Sequence, residues 1–414
     1  MIVRRPTVLL PREGTDLYKW CVIACDQFTS EPEYWQELES VVAGAPGTLG
    51  LIYPEVYLGK TEGRGEKIRA RMHEYLQSGM FRAHEGYILV DRTCSDGKHR
   101  LGIMAEVDLE KYDYDFTSRT PVRASEQTVV ERLPVRIEVR RGAPLELPHI
   151  MMLMDNRDNF MRELYMLRGK QLYDTPLNMG GGRLTGYELN CTEKIDAYMR
   201  EMEERAREQG EGSIVFAVGD GNHSLATAKA CWEELKKGLS AEEAREHPAR
   251  FCLCEIVSVQ DPALIFEPIN RVVFGKEGEF VAYVADRLKG AGSCVMISGG
   301  VRRLIPVNAE PAQAIAQIQA VIDEFLQVKP ECGVDYVHGA YNTEQVAARC
   351  GGTAVIMPLI TKENLFACVK ARGTLPRKSF SMGEGRDKRY YMEARLITTE
   401  YTISDGNVLI KERQ

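Results

Sequence analysis

Apolar positions recur along the chain at two spacings, and each change of spacing marks a new element. Ile68, Met72, Tyr75 and Leu76 repeat at the helical interval and predict an amphipathic helix over 64–80. Further helices are predicted over 192–208, 278–288, 312–328, 343–349 and 362–369. Short apolar, β-branched runs predict strands at 20–24, 51–53, 87–93, 100–107, 213–218, 251–259, 263–274, 294–297, 302–306, 336–337 and 354–357, with edge strands at 389–399 and 408–411. Asp96-Gly97 joins two of these runs and predicts a hairpin. Ser30, followed by Glu31 and Pro32, predicts the cap of a helix running to about Val41. Residues 112–128 are polar and irregular; Ser125 there predicts the cap of a short helix with Glu126 in its first turn. This alternation predicts a mixed α/β (α+β) protein without internal repeats, organised as regions 1–110, 111–275 and 276–414.

One stretch concentrates polar chemistry at an element boundary. Ser213 to Val218 reads as a buried strand, Gly219, Asp220 and Gly221 break it, and Ala226 to Leu235 has helical composition. The first N–H groups of such a helix lack carbonyl partners and favour an anion, most often a phosphate. Asp220 is the candidate metal ligand or contact to a substrate hydroxyl, and His223 the candidate phosphate donor or proton carrier. Gly221 lets the backbone approach, and Asn222 and Ser224 add donors. Ordinary turn hydrogen bonds account for Asp220 and His223 equally well. Glu126 is a second candidate, with Arg123, Thr128 and Arg132 nearby to suit an anion; its plain reading is a dipole partner. The third cluster runs from Leu375 to Phe380, with Arg377 and Lys378, and on through Gly383, Gly385, Arg386, Lys388 and Arg389. It suits either a polyphosphate cover or a solvated basic loop.

Composition narrows the classes. The 414 residues are 44% hydrophobic and 27% charged with a net charge of −7, a globular balance that gives no general reason to expect nucleic acid or an anionic membrane as partner. No apolar run approaches the roughly 20 residues that span a bilayer, and no secretory leader is apparent, so a cytoplasmic location is expected. The 11 cysteines have neither disulfide-scaffold density nor metal-knuckle spacing. Walker A, G-x-S-x-G and H-E-x-x-H sequences are absent.

Five stretches carry a family resemblance: W-C-V-I-A-C-D-Q-F-T-S-E-P-E-Y-W at Trp20 to Trp35, L-I-Y-P-E-V-Y-L at Leu51 to Leu58, S-E-Q-T at Ser125 to Thr128, G-D-G-N-H-S at Gly219 to Ser224, and L-P-R-K-S-F at Leu375 to Phe380. Through them the chain resembles the domain-of-unknown-function 1015 family, itself similar to a distant branch of the ParB/sulfiredoxin-like superfamily that includes the free serine kinases. The resemblance implies a ParB/sulfiredoxin-like nucleotide-binding core within a larger mixed-sheet protein. It implies that Asp220, Gly221, Asn222 and His223 match a phosphate-binding segment and that Glu126 matches an essential glutamate. Ser224 stands where the superfamily has arginine, a charge that Arg377 or Lys378 would replace, and Ser125 stands where it has histidine. The expected activity is a nucleotide-dependent phosphotransferase, a small-molecule kinase using ADP or ATP with Mg²⁺ on a hydroxyl-bearing metabolite such as a free amino acid. The alternative is a non-catalytic nucleotide-binding regulator. A homo-oligomer is compatible with the sequence.

Overall fold

The computed structural model describes residues 1–29, 31–58, 63–128 and 133–411. The chain is mixed α/β and divides into two compact units, each described by itself. The first comprises Met1–Ala124, Thr128–Leu264 and Gly383–Gln414; the second comprises Ser125–Gln127 and Ile265–Met382.

Among the described residues, the first unit is built on a ten-stranded mixed sheet. Its strands run in the order Gln171–Pro176, Arg183–Glu188, Ile88–Thr93, His99–Asp108, Phe251–Ser258, Met151–Met154, Phe216–Asp220, Val122–Ala124 and Tyr112–Asp113, with Val3–Arg4 added on His99–Asp108. The expected hairpin forms, pairing Val90 with Gly102 across its strands. Every residue of Phe251–Ser258 is buried, because it lies mid-sheet with both faces covered. Alternation sends Cys252, Cys254 and Ile256 into one apolar cluster and Leu253 into another on the opposite face. Helix Arg64–Gln77 buries Ile68, Met72, Tyr75 and Leu76 as its periodicity requires, and helix Thr192–Glu208 buries Ile195 and Met199.

The second unit has an antiparallel sheet ordered Val301–Val307, Gly292–Ser298, Gly352–Ile356, Phe266–Phe274, Gly333–His338, with Phe380–Met382 on the start of Phe266–Phe274. Helices Glu277–Arg287 and Pro311–Val328 bring Phe280 and Phe325 together at a ring separation of 5.0 Å.

Several expected elements differ. Trp20 to Ala24 is fully buried but is no strand: Trp20 ends the short helix Leu17–Trp20, and only Ile23 pairs, in an isolated bridge with Arg389. Burial without a neighbouring ladder explains the misreading, since an apolar run reports burial before pairing. Leu51 closes a 3₁₀ turn, Thr48–Leu51, rather than opening a strand. Within 389–399 only Arg395–Leu396 is paired as a strand. Ser125 caps no helix: it follows strand Val122–Ala124, and its carbonyl accepts from the Leu375 N–H at 2.8 Å. Ser30, expected to cap the helix seen over Pro32–Val42, and Arg132 lie outside the described residues. All eleven cysteines are free, and among the described residues no helix is long and apolar enough to cross a membrane.

Candidate functional site

Strand Phe216–Asp220 runs parallel to Val122–Ala124 and antiparallel to Met151–Met154, which fixes where it ends. Gly221 then turns the chain with φ +79°, in the left-handed region that favours glycine, and a Cβ there would meet Ile150 Cα at 3.0 Å. Helix Asn222–Leu235 follows at once, four residues earlier than composition alone indicates. The Gly221 carbonyl accepts from the N–H groups of Ser224 and Leu225, both at 3.0 Å. Residues 222–224 are therefore the first helical turn, at the positive end of the helix dipole. The Asp220 carboxylate meets Lys388 Nζ at 3.4 Å, and Asn222 Oδ1 is buried without a hydrogen-bond partner among the described residues. The His223 carbonyl accepts from Thr227 Oγ1 at 2.7 Å.

Ser224 is the meeting point of a network from four other parts of the first unit. Arg136, on helix Leu133–Arg140, donates from Nη1 to Ser224 Oγ at 3.0 Å. Its Nη2 lies 2.5 Å from Glu55 Oε1 and 3.4 Å from Asp26 Oδ2. His149 Nε2 lies 3.2 Å from the same serine oxygen, while its Nδ1 is buried without a partner among the described residues. The imidazole packs edge-on against the Tyr390 ring at 4.8 Å. Burial holds His149 below the ordinary histidine value, outweighing the nearby Asp26 charge, so the ring is neutral at physiological pH. Burial acts to raise Asp26, but His149 once protonated in the acid range, the Arg136 charge, the Gln27 hydrogen bond and Lys388 together leave it well below the usual carboxylate range. Burial pushes the Cys25 thiol up to about 11, which keeps it protonated and unreactive.

In the second unit, Glu126 occupies a different setting from the one its sequence context predicts. Its Oε1 accepts from the backbone N–H groups of Ser379 and Phe380 at 2.9 and 3.0 Å, and its Oε2 from that of Lys378 at 3.2 Å. Lys378 has φ +59°, which turns these three donors toward one carboxylate. Burial raises the Glu126 pKa against the opposing pull of those donors and of the Lys378 charge. Arg377 and Lys378 are exposed, and their carbonyls accept from the buried Arg271 guanidinium at 3.5 and 2.9 Å.

The first unit thus holds Asp220, Gly221, Asn222, His223 and Ser224 in one turn, and the second holds Glu126, Arg377 and Lys378. Sequence reasoning missed Asp26, Glu55, Arg136 and His149, because they are scattered along the chain and join no local motif, whereas Lys388 belongs to the basic cluster it singled out. A signal existed for two of them: the stretches Trp20 to Trp35 and Leu51 to Leu58, which carry the family resemblance, contribute Asp26 and Glu55. Among the described residues no group of three or more His, Cys, Asp or Glu side chains could hold a metal.

Among solved structures, a free serine kinase in complex with AMP is similar at 12% identity and a TM-score of 0.40, covering 72% of this chain and 92% of its own. A conserved hypothetical protein from Pyrococcus furiosus is similar at 12% identity and a TM-score of 0.36, covering 71% and 95%. SbnI from Staphylococcus aureus, with a C-terminal truncation, is similar at 11% identity and a TM-score of 0.36, covering 68% and 82%. No curated protein matches the sequence significantly. Residues 9–334 match the family described as a protein of unknown function, DUF1015, and the chain belongs to that family.

Proposed function

We propose that the chain is a nucleotide-dependent phosphotransferase that binds ADP or ATP phosphates at the first turn of helix Asn222–Leu235 and acts on a small hydroxyl-bearing metabolite. The observation that supports this is the left-handed turn at Gly221 with the Arg136 guanidinium beside Ser224. Backbone donors and a guanidinium at one point are the complement of a phosphate group. Arg136 would then supply, from another helix, the positive charge that the resemblance expects at position 224. Mg²⁺ is commonly held by one or two carboxylates together with substrate phosphates, so it would arrive with the nucleotide and use Asp220 alone. The residues of this chain position the phosphates and neutralise their charge, which is most of what phosphoryl transfer requires. His223 would donate to a phosphate oxygen, and the resemblance assigns the part of hydroxyl base to Glu126, whose pKa burial raises.

A second reading, a nucleotide-binding regulator without catalysis, is favoured by the fact that both Glu126 oxygens already accept backbone N–H groups. Calorimetry with ADP and ATP in the presence of Mg²⁺, followed by a turnover assay with pooled free amino acids and sugars, separates the two. Arg136→Ala is expected to weaken nucleotide binding by about tenfold or more, the worth of one charged hydrogen bond. Turnover that Glu126→Gln abolishes without loss of binding supports the phosphotransferase. Binding without turnover supports the regulator, and absence of binding defeats both.

A further inference from the structure

The hydroxyl of Ser224 sits where three influences favour loss of its proton. Arg136 donates to Oγ at 3.0 Å, the helix N-terminus places positive potential there, and the neutral imidazole of His149 presents Nε2 at 3.2 Å. His149 Nδ1 has no hydrogen-bond partner, so nothing else in the described structure commits the ring to one tautomer, and the form with its proton on Nδ1 leaves Nε2 free to accept from Ser224. Ser224 is half-buried, which leaves Oγ within reach of a ligand at the same turn.

Building on the nucleotide-binding reading above, we infer that Ser224 is a nucleophile that takes the terminal phosphoryl group of a nucleotide, with His149 as its base. In this step a bond forms between Ser224 Oγ and the terminal phosphorus, and the hydroxyl proton passes to His149 Nε2. The bond from that phosphorus to the bridging oxygen breaks, and its electron pair leaves with the nucleotide that has lost one phosphoryl group. No atom changes oxidation state. The resulting phosphoserine dianion is held by Arg136 and favoured by the positive end of the helix dipole. The nearby negative charge of Asp26 favours the imidazolium that forms. In a later displacement a metabolite hydroxyl oxygen bonds to the phosphorus and the bond from phosphorus to Ser224 Oγ breaks; His149 returns its proton to the leaving Oγ, the metabolite's hydroxyl proton passes to solvent, and Ser224 is restored. Asp26 and Glu55 acquire a role here as the carboxylates that aim Arg136 at Ser224 and temper its charge.

The test is mass mapping of the full chain after incubation with ATP and Mg²⁺, alongside a fluorophosphonate probe that reports serine nucleophilicity without any nucleotide. One phosphoryl group on Ser224, absent from Ser224→Ala and formed at least 100-fold more slowly in His149→Gln while calorimetry shows unchanged ATP affinity, is the expected result. ATP that binds in the calorimeter but leaves Ser224 unmodified overturns the inference and leaves the binding reading intact. If ATP does not bind, the binding reading fails, and the transfer step falls with it. Fluorophosphonate labelling of Ser224 that depends on His149 supports the nucleophile itself, and absence of that labelling overturns it.

Discussion

Glu393 offers a quantitative test of how the first unit is held together. Its carboxyl is buried, Oε1 accepts from Tyr173 Oη at 2.5 Å, and Oε2 has no partner among the described residues. Burial, opposed in part by the tyrosine hydrogen bond, raises its pKa from 4.5 to about 7. A carboxyl whose folded pKa lies above its unfolded value contributes stability that is fully present below the unfolded value. That contribution is lost as pH rises through the folded one. At 1.36 kcal/mol for each pKa unit, the shift from 4.5 to about 7 corresponds to roughly 3 kcal/mol lost between those two values. Glu393→Gln removes the titration and keeps the shape. Trp20, Trp35 and Trp232, the chain's only tryptophans, all lie in the first unit, so urea unfolding followed by tryptophan fluorescence reads that unit alone. The difference in unfolding free energy, wild type minus variant, is expected to fall by roughly 3 kcal/mol between pH 4.5 and pH 8. A difference that stays flat across that window refutes the reasoning.

Glu146 should behave in the opposite sense. Burial acts to raise it, but Arg395 and Arg140, at 2.8 and 2.6 Å, outweigh that and bring its pKa down to about 2. Its contribution is therefore present above pH 4.5 and lost as pH falls toward 2, and Glu146→Gln is expected to flatten the acid limb of the same fluorescence titration. Gly221→Ala places a Cβ at 3.0 Å from Ile150 Cα in a left-handed turn, whereas Gly210→Ala, at φ +93°, meets nothing within 4 Å. The first is expected to cost more than the second, which should lose only about 1 kcal/mol of backbone strain. Equal losses in urea titration would show that the Ile150 contact is harmless.

The parts legible in the sequence are those where one element decides its own fate. Helix Thr192–Glu208 and the hairpin around Asp96-Gly97 are set by local periodicity and turn chemistry, and they are found as expected. The strand–Gly–helix junction at Gly221 is legible for the same reason. Trp20 to Ala24 shows the limit: its apolar side chains are buried, but whether its backbone joins a ladder depends on residues near position 389. The site fails in the same way. Arg136 reads as one more charge on a short helix, and only the fold brings it to Ser224. Glu126 reads as a helix-start carboxylate, yet its partners lie some 250 positions downstream at Lys378, Ser379 and Phe380.

The pairing of Phe266 with Met382 has an architectural consequence. The segment that makes up nearly all of the second unit leaves and re-enters the chain at two residues lying side by side, the signature of a module inserted into a host loop. A host relieved of 266–382 would need only a few residues to close the gap. The module cut out on its own would be less fortunate, because it leaves Ser125–Gln127 behind. Without Glu126 its 378–380 turn would present three inward-facing N–H groups with no carboxylate to receive them. An independent module would have to carry a replacement acid, whether grafted into its sequence or supplied as an added peptide.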